Sequence, residues 1–381
     1  MGADPSYLYE YCGLGEHHAI ACVAQTGQEP SPFRSARWSP DGTTVAASAD
    51  DNALRLYDLS AAVQRYAAQE GGAPEACGPA AVVAHGGTLL DYAWYPYMAR
   101  HDPATCCLVE SVRDHPVQLR DSGAAGGVRA SYAAYDAADV LMSAGAVAFS
   151  ADGASVFAGY ARHLARFDVQ RPGLPVDLAL TSPTRRSRDG IKGALSCVAP
   201  AQSAMVACAS FGGYLGLAGS GGALEAVWRV PREYGGGSGV TELRWAPNGV
   251  ALWAASRHSQ HIVAWDIRDL RGPCAALRRE CSTAQRMGFD FDATGRHLVA
   301  GEMDGSVAVH EIAAAAADDA RPAARVRRAH ADLVAAVSAH PFYPLLASAS
   351  GQRRFAGPDD TPPPPPDHSL RIWAVPAGYV S

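Results

Sequence analysis

Short runs that alternate between apolar and polar residues, separated by turns rich in Pro, Gly and Asp, recur along almost the whole chain. In the first repeat, Thr43 to Ala49 is a run of small and β-branched residues, and Asp50 to Asn52 forms a turn. Leu54 to Leu59 then alternates, which places Arg55 on the face opposite its apolar neighbours. Because side chains alternate between the two faces of a strand, this pattern predicts short β-strands. Each repeat is expected to contain three strands joined by two turns.

An apolar or aromatic residue followed by a tight turn marks each repeat and occurs seven times. The seven anchors are Trp38, Trp94, Phe149, Val198, Trp245, Phe291 and Ala339. They are 46 to 56 residues apart, and a period of roughly 40 to 50 residues with several short strands is typical of a β-propeller. Several third strands end on a variant of the Trp-Asp dipeptide, such as Tyr57-Asp58. The sequence therefore predicts an all-β fold, a seven-bladed WD-repeat β-propeller.

An apolar, strand-like segment, Ala19 to Ala24, precedes the first repeat. Propellers close by pairing a strand from one terminus with the blade at the other, which protects sheet edges from aggregation. We expect residues 18–26 to supply the outer strand of the seventh blade. The predicted organisation is an N-terminal tail over residues 1–17 and a single propeller over residues 18–381.

Two segments do not follow the repeat, and a third, uncharged segment raises the question of a membrane span. Gln170 to Lys192 and residues 351–368 are predicted to be loop insertions. The second contains Pro362 to Pro366, a stiff polyproline II segment that is either a surface insertion or a ligand for a Pro-binding module. Gly193 to Leu224 carries no charge, but prolines and glycines divide it into pieces shorter than the ~20 residues of a membrane-spanning helix. We interpret it as a buried hairpin.

Composition argues against a disordered protein and against a disulfide-stabilised one. With 48% hydrophobic and 18% charged residues, the 381-residue chain can bury a large core. The net charge of −6 gives no global sign of a nucleic-acid binder. Nine scattered cysteines without a Cys-x-x-Cys pair indicate buried thiols in a reducing compartment. The first residues lack the basic and apolar regions of a secretory signal.

Candidate catalytic chemistry is missing from the sequence. It has no phosphate-binding loop of the G-x-x-x-x-G-K-[ST] type, no H-E-x-x-H and no G-x-S-x-G. His17-His18 has no third ligand nearby, so an exposed pair is the simpler interpretation than a metal site. We therefore expect no enzyme activity, no cofactor and no bound metal.

The loops between the second and third strands carry the remaining chemistry, because in a propeller they emerge on one face. Four of the seven contain arginine, and three contain aromatic residues. The candidates are Arg113, Tyr160, Arg162, Phe211, Tyr214, Arg257, Gln352, Arg353 and Arg354, with Phe33 and Arg286 expected on the same face. Guanidinium groups bind phosphates and aromatic rings stack on bases, so this pattern is typical of single-stranded nucleic-acid binding. In the alternative interpretation, the arginines pair with turn aspartates such as Asp114 and Asp304 and only stabilise the loops.

Several phrases within these repeats are unusual among propellers. Leu345 to Arg353 leads into a proline-bearing insertion, and Trp94-Tyr95 replaces the common Phe-Ser-Pro. Further distinctive phrases are Phe33 to Gly42, Leu90 to Tyr95, Arg113 to Val117, Ala130 to Tyr132, Arg171 to Gly173 and Ala284 to Met287. In all of them the chain resembles the telomerase Cajal body protein family, the WD-repeat scaffold of H/ACA small Cajal body RNAs and telomerase RNA.

The resemblance implies a non-catalytic RNA-binding scaffold that directs these ribonucleoproteins to Cajal bodies in the nucleus and supports telomerase assembly. It also implies the partners: small Cajal body RNA and telomerase RNA, the H/ACA core proteins and the telomerase reverse transcriptase. The protein would be monomeric within a larger complex, away from any membrane. Matching phrases assign RNA contact to Phe33, Arg113, Arg286, Gln352 and Arg353. The alternative function is a generic protein-interaction WD-repeat adaptor that binds peptides.

Overall fold

The computed structural model describes residues 19–24, 31–68, 75–123, 126–184, 187, 189–313, 322, 324–326, 329–353 and 366–374. Nearly all regular structure in these ranges is β-strand, with one α-helix, α1 (Ser60–Ala67). The strands form seven sheets, which confirms the predicted seven-bladed all-β propeller. The predicted tail over residues 1–17, His17-His18, Arg354 and Pro362–Pro365 lie outside the described residues. No helix in the described ranges has the length and apolar character needed to cross a membrane.

The strands are numbered here in chain order. The first fourteen are β1 (Ala19–Ala24), β2 (Phe33–Trp38), β3 (Thr44–Ala49), β4 (Ala53–Asp58), β5 (Glu75–Ala76), β6 (Ala81–Ala84), β7 (Leu89–Trp94), β8 (Cys107–Val112), β9 (Val117–Asp121), β10 (Val128–Tyr132), β11 (Ala146–Phe149), β12 (Ser155–Gly159), β13 (His163–Asp168) and β14 (Asp177–Leu180). The others are β15 (Leu195–Pro200), β16 (Val206–Ser210), β17 (Tyr214–Ala218), β18 (Leu224–Arg229), β19 (Val240–Trp245), β20 (Ala251–Ser256), β21 (His261–Asp266), β22 (Ala275–Arg278), β23 (Phe289–Phe291), β24 (His297–Gly301), β25 (Val307–Glu311), β26 (Ala324–Val326), β27 (Val334–Ala339), β28 (Leu345–Ser350) and β29 (Ser369–Ala374).

Each sheet is one blade, numbered in chain order. Blade 1 is β2-β3-β4-β6, and blades 2 to 6 take the following strands four at a time, from β7 to β26. Blade 7 is the five-stranded sheet β27-β28-β29-β1-β5. The chain divides into two compact units, Met1–Val82 with Ala276–Ser381, and Val83–Ala275. The first unit holds blades 6 and 7 and the first three strands of blade 1, and the second holds blades 2 to 4 and the first three strands of blade 5.

Every blade has a fourth strand, whereas the sequence predicted three strands in each repeat and a fourth only in blade 7, from the closing strand. One of these strands, β14, lies inside the segment that was predicted to be a loop, and Leu178 and Leu180 in it are 40% and 53% exposed. The predicted hairpin between residues 193 and 224 instead contains the three strands β15, β16 and β17. An outermost strand packs against a single neighbour, so its sequence lacks the apolar run that identifies a buried strand.

The predicted closing strand is confirmed, because β1 pairs antiparallel with β29 in blade 7. Leu370 of β29 is the partner of Val23, and Ser369 is the partner of Ala24. A second strand extends the same sheet, since β5 pairs parallel with β1 through Ala21 and Cys22. This short strand follows α1 in the insertion between β4 and β6 of blade 1, and the sequence pattern did not predict it.

A buried histidine links blades 7 and 1 in the first unit. The Nε2 atom of His340 lies 3.0 Å from the carbonyl oxygen of Gly42, and its Nδ1 accepts the backbone N–H groups of Phe342 at 3.1 Å and Tyr343 at 3.0 Å. Nδ1 is therefore unprotonated, and Nε2–H is the donor. The ring also meets Trp38 edge-on, with 4.8 Å between the ring centroids. Burial lowers the pKa of His340 to about 4.

A second buried network organises blade 7. The Ser348 hydroxyl lies 2.7 Å from Nε2 of His330 and accepts the Trp373 indole N–H at 2.7 Å. The other ring nitrogen of His330 lies 3.0 Å from the Ser369 hydroxyl. Burial alone would raise the pKa of Asp367, but hydrogen bonds from His330 and Ser369 hold it well below its ordinary value. These bonds join β28, β29 and the segment before β27.

In the second unit, the blades are fixed by buried aromatic rings and a buried carboxylate. Tyr132 and Phe167 are fully buried, and their ring centroids are 5.6 Å apart. Asp91, on the first strand of blade 2, accepts the backbone N–H of Val147 on the first strand of blade 3 at 3.0 Å. Such contacts hold neighbouring blades in register and thereby fix the loops at their ends.

Candidate nucleic-acid interface

The candidate residues lie in the loops between the second and third strands, at one end of each blade. In five blades, the residue that follows the second strand donates its backbone N–H to a carbonyl oxygen just before the first strand. These bonds are Asp50 to Pro32, Arg113 to Thr88, Phe211 to Ala194, Arg257 to Gly239 and Gly351 to Leu333, at 2.9 to 3.1 Å. The two segments of each blade therefore present their side chains at the same end.

Arg353 is the most strongly held candidate in the first unit. Its Nη2 donates to Oδ1 of Asp50 at 2.8 Å, and its Nε donates to the other carboxylate oxygen. Its backbone N–H donates to Oε1 of Gln285 at 3.0 Å, and Nε2 of Gln285 donates to the Gly351 carbonyl at 3.2 Å. The hydrogen bond to Asp50 raises the pKa of Arg353. A turn aspartate thus pairs with this arginine, in agreement with the stabilising alternative, although half of its side chain is exposed.

Asp50 is shared between two arginines. Arg34 at the start of blade 1 approaches the same carboxylate, with Nε 3.4 Å from Oδ1. One negative charge therefore faces two positive charges, and this group carries a net charge of +1. Gln352, which precedes Arg353 in the sequence, and Arg286, which follows Gln285, are both half-buried.

Phe33, which was expected to project from this end, is completely buried. It packs in the core of blade 1 with Trp38 and Tyr57. The backbone of Gly351 lies so close that a Cβ there would come within 2.4 Å of the Phe33 nitrogen. The expectation that Phe33 stacks on a base is therefore wrong for this structure, and the alternation of strand β2 turns its side chain inward.

Two candidates in the second unit also have structural roles. Tyr160 is 1% exposed and packs in the core of blades 2 and 3, and burial raises its pKa far above the ordinary value. It cannot stack on a base in this position. Arg162 is half-buried, and its Nη2 donates to the carbonyl oxygens of Ser182 at 3.3 Å and Pro183 at 2.8 Å. It stabilises the segment after β14 rather than facing solvent.

Arg113 differs from these residues. It is exposed, and its side chain forms no ion pair or hydrogen bond with any residue that the structure describes. The neighbouring Asp114, a possible partner, instead accepts the Ser143 hydroxyl at 3.3 Å. The stabilising alternative therefore does not apply to Arg113, which can bind a phosphate without first breaking a protein contact.

Blades 4 and 5 bring two arginines onto two aromatic rings. The guanidinium carbon of Arg257 lies 4.3 Å from the ring centroid of Phe211, and Phe211 remains 38% exposed. Arg229 lies 5.2 Å from the ring centroid of Tyr214, its cross-strand partner in blade 4. Both are within the range of a cation–π contact. We refer to Phe211, Tyr214, Arg229 and Arg257 as the blade 4 platform.

Arg229 was missed by sequence reasoning because it ends β18, an unpredicted fourth strand. If a strand had been predicted from Leu224 onwards, its antiparallel pairing with β17 would have placed Arg229 opposite Tyr214.

Among the described residues, no group of three His, Cys, Asp or Glu side chains is placed to bind a metal ion. Exposed guanidinium groups such as that of Arg113 can bind phosphates, and an exposed ring such as that of Phe211 can stack on a base.

Comparisons with known proteins identify relatives of the chain. A family model described as WD domain, G-beta repeat matches residues 17–58. The chain is 34% identical over 340 residues to Telomerase Cajal body protein 1 of Bos taurus, covering 87% of this chain and 60% of that protein. It is 33% identical over 364 residues to Telomerase Cajal body protein 1 of Homo sapiens, covering 94% and 64%. The resemblance predicted from the sequence is confirmed.

A relative with a different name also aligns. The chain is 29% identical over 304 residues to Guanine nucleotide-binding protein negative regulator 1 of Schizosaccharomyces pombe, covering 75% of this chain and 72% of that protein. The chain spans about three fifths of the length of the bovine and human relatives.

Proposed function

We propose that this WD-repeat propeller, a relative of the telomerase Cajal body proteins, is a non-catalytic RNA-binding scaffold. It recognises H/ACA-type small Cajal body RNAs, telomerase RNA or both, and directs the ribonucleoprotein to Cajal bodies in the nucleus. Its partners are these RNAs, the H/ACA core proteins and the telomerase reverse transcriptase, and it acts as a monomer within that complex. The observation that carries the proposal is its 33% identity to the human protein over 94% of the chain.

The geometry supports RNA as the ligand. Arg113 is exposed and unpaired among the described residues, Arg353 is half exposed, and Phe211 offers an accessible ring beside Arg257. Phosphate binding by such arginines releases counterions from RNA, so affinity falls as salt rises. These arginines carry positive charge in a protein whose overall net charge is −6.

The direct test is fluorescence anisotropy with the purified chain and an H/ACA-type stem-loop RNA, compared with the same stem carrying a scrambled loop. We expect tighter binding to the native loop. Arg113→Ala and Arg353→Ala should each weaken binding and lower the slope of log K against log salt by about 0.7 to 0.9. Equal affinity for both RNAs, or unchanged binding in both variants, would overturn the proposal.

Arg268→Ala is the matched control. Arg268 is an exposed arginine that pairs with Asp266 at 2.6 Å, much as Arg353 pairs with Asp50. It follows β21, at the end of that strand opposite the Arg257 loop. Its removal should leave RNA affinity and the salt slope unchanged, because it breaks a similar ion pair away from the candidate interface.

The localisation and partners need a cellular test. A tagged copy of the chain should concentrate in Cajal bodies, and RNA crosslinked to it should be enriched in H/ACA species. Because the S. pombe relative is named as a regulator of a guanine nucleotide-binding protein, a protein-interaction adaptor remains the second candidate function. That function predicts co-purification of proteins that survives RNase treatment, with no enriched RNA class.

A further inference from the structure

The outer edge of blade 3 carries an apolar stripe that RNA binding does not use. The stripe consists of Leu174, Val176, Leu178 and Leu180, which are 68%, 53%, 40% and 53% exposed. We propose that this stripe and strand β14 bind an extended segment of a partner protein, which joins the four strands of blade 3 as a further strand. The partner segment alternates apolar with polar residues and carries Lys or Arg at the end that meets Leu180.

The first observation is that the stripe has the period of a β-strand. From Gly173 to Leu180 every second residue is exposed, and each of these exposed residues is apolar. Because side chains alternate between the faces of a strand, the four lie on one face. The exposed valines on other outer strands, Val82, Val128 and Val227, stand singly among the described residues. An apolar row on an exposed edge strand invites pairing with another chain.

The second observation is that the two faces of β14 have different surroundings. Ala179 belongs to the other set of side chains and faces blade 4, where a Cβ on Gly222 would lie 3.3 Å from its own Cβ. On the face of the stripe, Leu178 is the cross-strand partner of Ala165, which belongs to the buried core of blades 2 and 3. The stripe therefore continues that core outward to solvent, and a further strand would extend it.

The third observation is that the backbone of β14 has an outward-facing edge. In the strand order β11-β12-β13-β14, β13 is the only strand that pairs with it among the described residues. Thr181, just after β14, donates its N–H to the carbonyl oxygen of Arg162 at 2.9 Å. Since the backbone groups alternate in direction along an antiparallel ladder, those of Leu178 and Leu180 point away from β13. These two residues thus combine apolar side chains with outward N–H and C=O groups, which is the arrangement that strand addition uses.

The fourth observation gives the charge of the partner. Leu180 is the cross-strand partner of His163. Burial and the charge of Arg162 lower the pKa of His163, and the Asp136 carboxylate opposes that shift, so Asp136 lies near this end of the stripe. Asp136 and Asp139 are exposed in one tight turn, closed by a backbone hydrogen bond of 3.1 Å. Two carboxylates outnumber the single charge of Arg162, and they favour a basic residue on the partner.

The probe for this edge is a fluorescein-labelled peptide in which valine alternates with threonine and two lysines follow. Its anisotropy should rise on addition of the full chain, and Leu178→Thr and Leu180→Thr should each lower its affinity about three- to tenfold. Val82→Thr is the matched control, because Val82 is 52% exposed on the outer strand of blade 1. This control should leave the affinity unchanged. All three variants should keep the wild-type thermal midpoint, because the replaced side chains are exposed.

Backbone pairing is separated from hydrophobic contact by N-methylation of the peptide. Two further probes carry N-methyl groups on all valines or on all threonines. A strand pairs with an edge through alternate residues only, so one methylated probe should lose binding and the other should retain it. Equal affinity of the two methylated probes would show that no strand is added, and it would overturn the inference.

The charge of the partner is tested with Asp139→Asn. This variant should bind the lysine-bearing probe about two- to fivefold more weakly. It should bind a probe with serines in place of the lysines as tightly as the wild type does. The same loss with both probes, or no loss with either, would contradict the assignment of a basic residue to the partner.

The remaining outcomes concern the occupant of the edge. If sedimentation velocity shows a dimer that Leu178→Thr dissociates, a second copy of the chain occupies β14 and the inference is overturned. It is also overturned if no probe binds, including probes with leucine or phenylalanine in place of valine. Neither result affects the proposed RNA binding, because Leu178→Thr should leave the affinity for stem-loop RNA unchanged. Loss of RNA binding in the wild type would likewise leave the peptide result intact.

Discussion

His340 makes the junction between blades 7 and 1 sensitive to acid. Its Nδ1 accepts two backbone N–H groups, and its Nε2–H donates to Gly42. A proton on Nδ1 would turn each of these two accepted bonds into a repulsive contact, because the new N–H of the ring would face the backbone N–H. Burial accordingly lowers the pKa from 6.5 to about 4. Protonation therefore favours the unfolded chain.

The sign and size follow from linkage. Above pH 6.5 the histidine is neutral in both states, so it makes no pH-dependent contribution. Between 6.5 and about 4 the unfolded chain binds a proton that the folded chain does not, and the free energy of unfolding falls by about 1.4 kcal/mol per pH unit. The loss reaches about 2.5 kcal/mol at pH 4.5 and about 3 kcal/mol below pH 4.

The assay is urea unfolding followed by intrinsic fluorescence between pH 8 and pH 4.5, with wild type and His340→Asn. Asparagine keeps an acceptor for the two N–H groups and does not titrate, but it loses the Gly42 bond and the Trp38 contact. At pH 7 the variant should be less stable by about 1 to 3 kcal/mol. That difference should shrink by about 2.5 kcal/mol at pH 4.5.

Other groups, such as His310 with its pKa near 4, also destabilise the fold in acid, but they do so equally in both proteins. The comparison with His340→Asn removes their contribution. A difference between wild type and variant that is the same at pH 7 and pH 4.5 would refute the reasoning.

Three further predictions concern single side chains. Asp50→Asn should tighten RNA binding and steepen the slope of log K against log salt by about 0.7, because Arg34 and Arg353 lose their shared carboxylate. Weaker binding in the anisotropy assay would contradict this prediction. Ser348→Ala should lower the free energy of unfolding by about 2 to 4 kcal/mol, because it leaves buried groups of His330 and Trp373 without a partner. The control is Ser203→Ala, since Ser203 is exposed. Equal stability of the two variants would argue against the network. Gly213→Ala should destabilise blade 4 by about 1 to 3 kcal/mol, because its φ of +77° is strained for alanine and the Gly237 backbone blocks a Cβ. Gly221→Ala should be tolerated, because there is open space around Gly221. Similar thermal midpoints for the two variants would show that the loop at Gly213 relaxes.

The sequence predicted those parts of the fold that repeat. The seven anchors and the closing strand were recognisable because tight turns and apolar alternation reflect local constraints on the chain. Fourth strands such as β14 were not recognisable, because their exposed leucines and short length resemble a loop. The short strand β5 was missed for the same reason: its pairing depends on a distant partner and not on its own two residues.

The candidate interface was predictable in its location but not in the role of each residue. Position in a loop between the second and third strands correctly placed Arg113, Phe211 and Arg353 at one end of their blades. It could not show that Phe33 and Tyr160 turn inward, because a single aromatic residue at a strand boundary is compatible with either face. Nor could it show that Arg353 meets Asp50, about 300 residues away in the sequence, or that Arg229 meets Tyr214.

The pairing of β1 has a consequence for synthesis of the protein. Its partner β29 lies about 350 residues further along the chain, and at about 5 to 20 residues per second a ribosome needs roughly 20 to 70 s to make that length. Through this time β1 would expose unpaired backbone groups, which invite association with other chains. The parallel strand β5 is complete by residue 76 and pairs with the same β1. The nascent chain thus has an early partner for β1 long before the last blade leaves the ribosome.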